Sequence, residues 1–495
     1  MAGAEVTDRG SSGAIGPEGA GSRHAQLALP TGLLRFLSAA LLTSAVALYN
    51  HFPLTYPDTG NYLQNAIAIA HGRAPWFFYR PLVYGVFLVP FASPRTIWLV
   101  PVAQGLLVAF LVDLSVRVAT VPLSIRGFVM LFAGLSAFTS LPWFSGQIMP
   151  DIFTSFVILL CFVSVWGDER QTARERWATG ALSAFAIGCH LSHFPLYGML
   201  VVALLAGRLV ADRSSRSWRR FAPLALRVIA PLVVAAGILI GSNYYFRREP
   251  VLSSSSPLFA LAQLVGEGLA QRYLDRACPT QQYLLCSERA TLRPDLDWFL
   301  WASNGPWKRH EAELERGDST FLREASAIVA GTWRQEWPAV VSASLRNTIV
   351  QLRTIGHDRG ELAFSTSVEE TLARLDPGTV RAYRHSRQVQ KSLPIDAATQ
   401  VQYAAVGLGL LVLLGCVPAL RGRTLAPLRA LIATVCLGVV FNAFVMASLA
   451  RVHPRYQSRV VWLVPLIGAV AAVGAVGARG RRSSAQSTAQ RVDLA

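Results

Sequence analysis

Two short stretches set an acid behind a proline at the edge of an apolar run: Thr55-Tyr56-Pro57-Asp58-Thr59-Gly60-Asn61-Tyr62 and Gln147-Ile148-Met149-Pro150-Asp151. An acid at the rim of a bilayer is costly unless it caps a helix, pairs with a cation or does chemistry. Asp58 behind Pro57 reads as a helix cap, and Asp151 behind Pro150 as an acid that complements a helix dipole. Brought to one face, the two could instead hold a divalent cation such as Mg or Mn. One of them could equally act as a general base beside it.

Cationic groups recur late in the chain, in His453-Pro454-Arg455-Tyr456 and at Arg459. Such side chains either snorkel to lipid headgroups or hold a phosphate by charge-assisted hydrogen bonds. The compact His453, Arg455, Tyr456 cluster suits the second use. His190 and His193 stand three apart and share a face if their turn is helical. They read as buried polar packing at a helix break or as members of the site, because ionisable groups in spans are functional candidates. Asp113 and Arg117, four apart, read as a structural pair. No Gly-rich loop ending in Lys-Ser/Thr and no His-Glu-x-x-His is present, which removes support for ATP-driven transport and zinc proteolysis.

The elements that must position these groups are set by composition. Of 495 residues, 52% are hydrophobic and 15% charged, a membrane-protein balance. The net charge of +17 sits largely in Arg-bearing loops between apolar runs, so it reads as positive-inside patterning rather than nucleic-acid binding. Residues 1–26 are Gly-, Ala- and Ser-rich without periodicity and are expected to be disordered. Cys161, Cys189, Cys416 and Cys436 lie in apolar runs, as small hydrophobes do. Cys278 and Cys286 stand in a polar segment where a local disulfide fits an oxidising compartment.

A hydrocarbon core of roughly 30 Å takes about 20 apolar residues. The run Leu82–Phe91 is too short and is expected to be interfacial or re-entrant. With that run not crossing, about ten spans follow and every strong basic cluster falls on the side of the N-terminus. The predicted organisation is a cytoplasmic N-terminus over 1–26, a membrane module over 27–246 and an extracytoplasmic domain over 247–400. Three closing helices over 401–478 and a cytoplasmic basic tail over 479–495 complete it. Asp58, Asp151, His190, His193 and the segment 451–459 then share the outer side. Trp298, Trp301, Trp307, Trp333 and Trp337 of the 247–400 domain serve an interfacial belt, a core or a sugar platform.

The placement of Asp58 after the first span resembles the multi-pass GT-C class of glycosyltransferases, which use polyprenyl-phosphate sugars. So do Arg80-Pro81-Leu82-Val83-Tyr84 leading into an interfacial helix, Asp151 at a span mouth, and a late Arg455-Tyr456. The resemblance covers the first 170 residues fairly well and the last 60 loosely. It implies an all-α polytopic fold in the cytoplasmic membrane. The implied activity is sugar transfer from a polyprenyl-phosphate donor to an extracytoplasmic glycan, lipid or protein. Asp58 then maps to the catalytic base or metal site, Asp151 to a metal-ligating or substrate-orienting acid, and Arg455 to the lipid phosphate. Arg80, His190, His193, His453, Tyr456 and Arg459 complete the expected substrate-binding set. Many members carry Asp-Glu in the first loop, whereas this chain has Asp58-Thr59. The rival readings are a transporter or flippase for a lipid-linked or anionic solute, and a non-catalytic envelope-assembly protein. No inverted repeat favours transport.

Overall fold

A backbone in hydrocarbon must satisfy its own hydrogen bonds, so apolar runs between Arg-bearing turns fold as helices. The computed structural model describes residues 31–75, 79–211, 217–360, 362–420 and 423–492. It is 76% helix, with no strand among the described residues. The stretch 1–26, the segment Trp76-Phe77-Phe78, Arg213, Arg216 and the turn Arg421-Gly422 lie outside the described residues.

Among the described residues, six helices are long and apolar enough to cross a bilayer: Leu99–Val118, His193–Val210, Phe221–Arg247, Ile395–Leu420, Ala426–Leu449 and Pro454–Ala478. The chain is an all-α, membrane-embedded protein. Four other runs expected to cross form shorter helices, Thr31–Thr43, Ile125–Phe138, Ile152–Trp166 and Ala173–Gly188. At 1.5 Å per residue, Ile152–Trp166 reaches only about 22 Å. Every residue from Ile152 to Val165 is buried, so protein rather than lipid surrounds this helix. The run Leu82–Leu88 ends in a single 3-10 turn at Phe91 and is too short to cross.

The segment 451–459, expected as an outer loop, is instead largely helical. Helix Pro454–Val461 leads directly into Leu463–Val492. Pro454 supplies a preset backbone angle at the first helical position. The His453 ring accepts the Arg455 N–H as an N-cap. Arg455 and Arg459, four apart, therefore share a face turned into the protein.

Apolar packing divides into two cores. The larger joins the membrane helices, with Phe153, Phe156, Leu431 and Ile467 fully enclosed. The smaller lies within 258–340 and is built around Leu261, Phe299, Trp307 and Ile328. The polar stretch 247–400 contributes to both, since Ile355, Leu362, Val368, Leu372, Tyr383 and Leu393 pack into the larger core. Cys278 and Cys286 form a disulfide at the edge of the smaller one, with a Cα–Cα distance of 5.5 Å.

Two devices bring the acidic stretches together. Leu54 and Gln147 form an isolated parallel bridge. In it the Leu54 N–H donates to Gly146 O and the Ile148 N–H to Leu54 O, each at 2.9 Å. Thr59 Oγ1 then donates to Ile148 O at 3.0 Å. From behind, the Gln388 amide clamps Thr55, accepting its N–H at 3.0 Å and donating to its carbonyl at 2.6 Å.

Candidate functional site at the membrane mouth

Helix Pro57–Ala70 starts with Pro57 at its first position and Thr59 closing a capping box on Tyr56. The Tyr56 N–H donates to Thr59 Oγ1 at 2.9 Å. Asp58 is thus relieved of the capping duty and points elsewhere. Its carboxylate, with 23% of the side chain exposed, takes a hydrogen bond from Arg80 Nη2 at 2.7 Å. On its other flank Arg455 Nη1 stands 3.9 Å from Oδ2. Burial works against the Arg80 charge, and the Asp58 carboxylate more than offsets it, raising the guanidinium pKa.

Asp151 does not cap its helix either. Only 2% exposed, it receives two parallel hydrogen bonds from Arg455, Nε to Oδ1 at 3.1 Å and Nη2 to Oδ2 at 2.8 Å. Arg459 Nη1 lies 3.6 Å from Oδ1. Burial raises the Asp151 pKa, but Arg455 and Arg459 together outweigh it and hold the group far below the usual carboxylate range. The Arg455 guanidinium also lies over the Tyr56 ring, 4.4 Å from its centroid. One cation therefore ties the two acidic stretches together.

Behind this layer Arg459, 1% exposed, donates to Asn442 Oδ1 at 2.9 Å and reaches Ser192 Oγ at 3.4 Å. The two histidines sit on the same wall, rings 5.4 Å apart. His193 is buried, with Nδ1 at 2.6 Å from Ala186 O and Nε2 at 2.9 Å from Thr154 Oγ1. His190 is half-buried at the turn. His453 braces the start of its helix rather than facing the mouth, with Nε2 3.3 Å from Asp358 and its backbone held by Gln351. Tyr456 packs between the His453 ring and the Arg459 guanidinium.

Beside the Asp58–Arg80 pair lies a narrow cleft of about 10 Å³, lined by Tyr79, Arg80, Leu191, Leu239, Asn243 and Ser254, among others. Its lining mixes apolar side chains such as Leu82, Leu191 and Leu239 with the hydroxyls of Ser242 and Ser254 and the amide of Asn243, and Arg80 is its cation. Tyr79 roots this rim in the smaller core, donating to Glu311 and accepting from Trp307 Nε1 at 2.9 Å.

The donor set fits a divalent cation poorly. Both Asp151 oxygens face guanidinium groups, Asp58 pairs with Arg80, and no group of three His, Cys, Asp or Glu stands together among the described residues. Of the expected site residues, Asp58, Arg80, Asp151, Arg455, Arg459, His190 and His193 gather at one mouth. His453 and Tyr456 support the helix that delivers the two arginines. Asn442 joins the site without a place in the sequence-based expectation, although a lone amide within an apolar span is itself a signal. Ser192 and Tyr79 carried no comparable sign. No family model, curated protein or solved structure matches this chain.

Proposed function

We propose that this protein is a GT-C-like glycosyltransferase of about ten spans, with both termini cytoplasmic and its site at the outer face of the cytoplasmic membrane. It moves a sugar from a polyprenyl-phosphate donor to an extracytoplasmic glycan, lipid or protein. The observation that carries the reading is the Asp58–Arg80 pair, partly exposed, at the lip of an amphiphilic cleft. The mixed apolar and polar lining around Arg80 suits an anionic lipid head. The Cys278–Cys286 disulfide supports an oxidising, extracytoplasmic setting for the smaller core.

The chemistry is an exchange of partners. An arriving phosphate draws Arg80 away from Asp58, since guanidinium binds phosphate in the same forked way as carboxylate. The released carboxylate takes the proton of the acceptor hydroxyl as its oxygen bonds to the anomeric carbon. The bond from that carbon to the phosphate oxygen breaks, and polyprenyl phosphate departs with Arg80 stabilising its charge. Asp151 stays paired and holds Arg455 in place.

The test is release of polyprenyl phosphate from polyprenyl-phosphate sugars by purified protein in lipid, wild type beside Asp58→Asn. Turnover by the wild type and its loss in a folded variant supports the reading. Undiminished turnover in the variant removes Asp58 from the chemistry.

A further inference from the structure

We infer that His190 is a neutral hydrogen-bond donor to the phosphate of the lipid-linked substrate, offering the hydrogen on Nε2, and is not the base that takes the acceptor proton. The inference rests on the reading above for its ligand, and on geometry for its tautomer.

The tautomer follows from a backbone bond. The Ser192 N–H points at His190 Nδ1 at 3.2 Å, so that nitrogen must carry a lone pair. Ser192 Oγ, 2.8 Å from the same nitrogen, must then donate to it as well. The hydroxyl in turn receives Arg459 Nη2 at 3.4 Å. A chain of donors therefore runs from Arg459 through Ser192 to His190 Nδ1, and the neutral ring keeps its one hydrogen on Nε2.

The surroundings keep the ring neutral. Arg459, His193, Arg80 and Asp151 are the groups that act on it electrostatically. Two are fixed cations, and the single carboxylate is already held by Arg455 and Arg459. Burial and then Arg459 push the imidazole well below its ordinary value. Such a ring resists the proton a base would have to accept, yet still donates one hydrogen.

Its neighbours differ in this respect. His193 has both nitrogens engaged, by Ala186 O and Thr154 Oγ1. His453 repeats the capping geometry, with Nδ1 taking the Arg455 N–H at 3.3 Å, but its Nε2 faces Asp358. His190 Nε2 alone of these has no acceptor among the described residues, and Leu191 beside it lines the cleft that holds Arg80. His190 stands one residue from that lining, and Arg80 is among the charges that act on its ring, so an anion that engages Arg80 is the ligand this inference assigns to the Nε2 hydrogen. Ser192 and Arg459 are positioning residues for this donor.

The experiment uses histidine-labelled full-length protein in lipid and the nitrogen resonances lost in His190→Gln. The expected result is a protonated Nε2 and a bare Nδ1, unchanged on either side of about pH 6.5, the ordinary imidazole value. Adding a polyprenyl monophosphate should move the Nε2 resonance. A hydrogen on Nδ1, titration near the ordinary value, or no response to the lipid phosphate overturns the inference, whether or not the protein turns over any sugar donor. Where turnover is found, His190→Gln, which keeps a neutral donor, should retain most of it, and His190→Ala should lose about tenfold to a hundredfold. Equal loss in both variants would mark a base.

Discussion

Arg455 closes on Asp151 across 304 residues of sequence, two nitrogens to two oxygens, with neither side chain open to solvent. Removing one partner of such a pair leaves the other charged and enclosed, at a cost of about 3–5 kcal/mol. Arg455→Ala should therefore lower the unfolding temperature in lipid substantially, and Arg455→Lys should restore little of it because an ammonium lacks the fork. Replacing both partners, Arg455→Met with Asp151→Leu, should recover only part of the stability and no activity, because Arg459 is then left buried without its carboxylate. Thermal unfolding of these proteins, with the single variants Arg455→Met and Asp151→Leu beside the double one, checks this, and an additive double variant would contradict it.

Asp58 behaves oppositely because its pair is partly exposed, where an ion pair contributes about 0.2–1 kcal/mol. Asp58→Asn should unfold within a few degrees of wild type while losing turnover. Asp151→Asn should lose stability first, and activity only as a consequence. The contrast between melting and turnover separates a chemical acid from a structural one.

Gly60 tests how tightly the Asp58 helix is seated. A Cβ there would fall 2.4 Å from Ser367 Oγ and 2.8 Å from the Ser367 carbonyl oxygen, and the latter cannot rotate away. Gly60→Ala should cost about 1–3 kcal/mol as helix Thr366–Ala373 is pushed off. Turnover should fall with it, since Asp58 sits two residues earlier. Unfolding and activity of this one variant check both.

Acid stability should carry a histidine signature. His357 is buried and stacked on Trp143 with ring centroids 4.2 Å apart, and burial pushes its pKa down to about 3. The unfolded chain protonates this imidazole near its ordinary value of about 6.5. Between those two values the unfolded state binds more protons, so stability is full above the window and falls as pH drops through it. Asp151 adds its own loss only below the ordinary carboxylate value of about 3.9. His357→Phe, which keeps a ring against Trp143, should flatten the decline of unfolding temperature between about pH 6.5 and 4. An unchanged slope would mean that other groups set it.

Hydropathy made the helical, membrane-embedded character legible, and acids beside prolines marked both halves of the mouth. What those acids do was hidden. Each looked like a cap, yet Thr59 supplies the cap at one helix, and Asp151 spends its oxygens on a guanidinium 304 residues away. No local spacing encodes such a partner. Arg455 and Arg459 looked like loop cations because a polar run hides a helix when the buried face is itself charged. Helices such as Ile152–Trp166 read in sequence as if they faced lipid, since hydropathy cannot tell lipid from protein as the neighbour. The stretch 247–400 looked uniform because polar content does not reveal which of its apolar residues pack against which core.

The clamp of Gln388 on Thr55 and the grip of Arg455 on Asp151 also fix a timetable. A ribosome delivers Asp151 long before Arg455, and Thr55 long before Gln388, whereas Asp58 soon meets Arg80. Through most of synthesis Asp151 is therefore carried without its cation, which is costly anywhere but at a wet surface. The mouth can close only when nearly the whole chain has emerged. A prematurely ended chain would therefore present an unpaired carboxylate at the membrane edge, the sort of defect that membrane proteolysis can read.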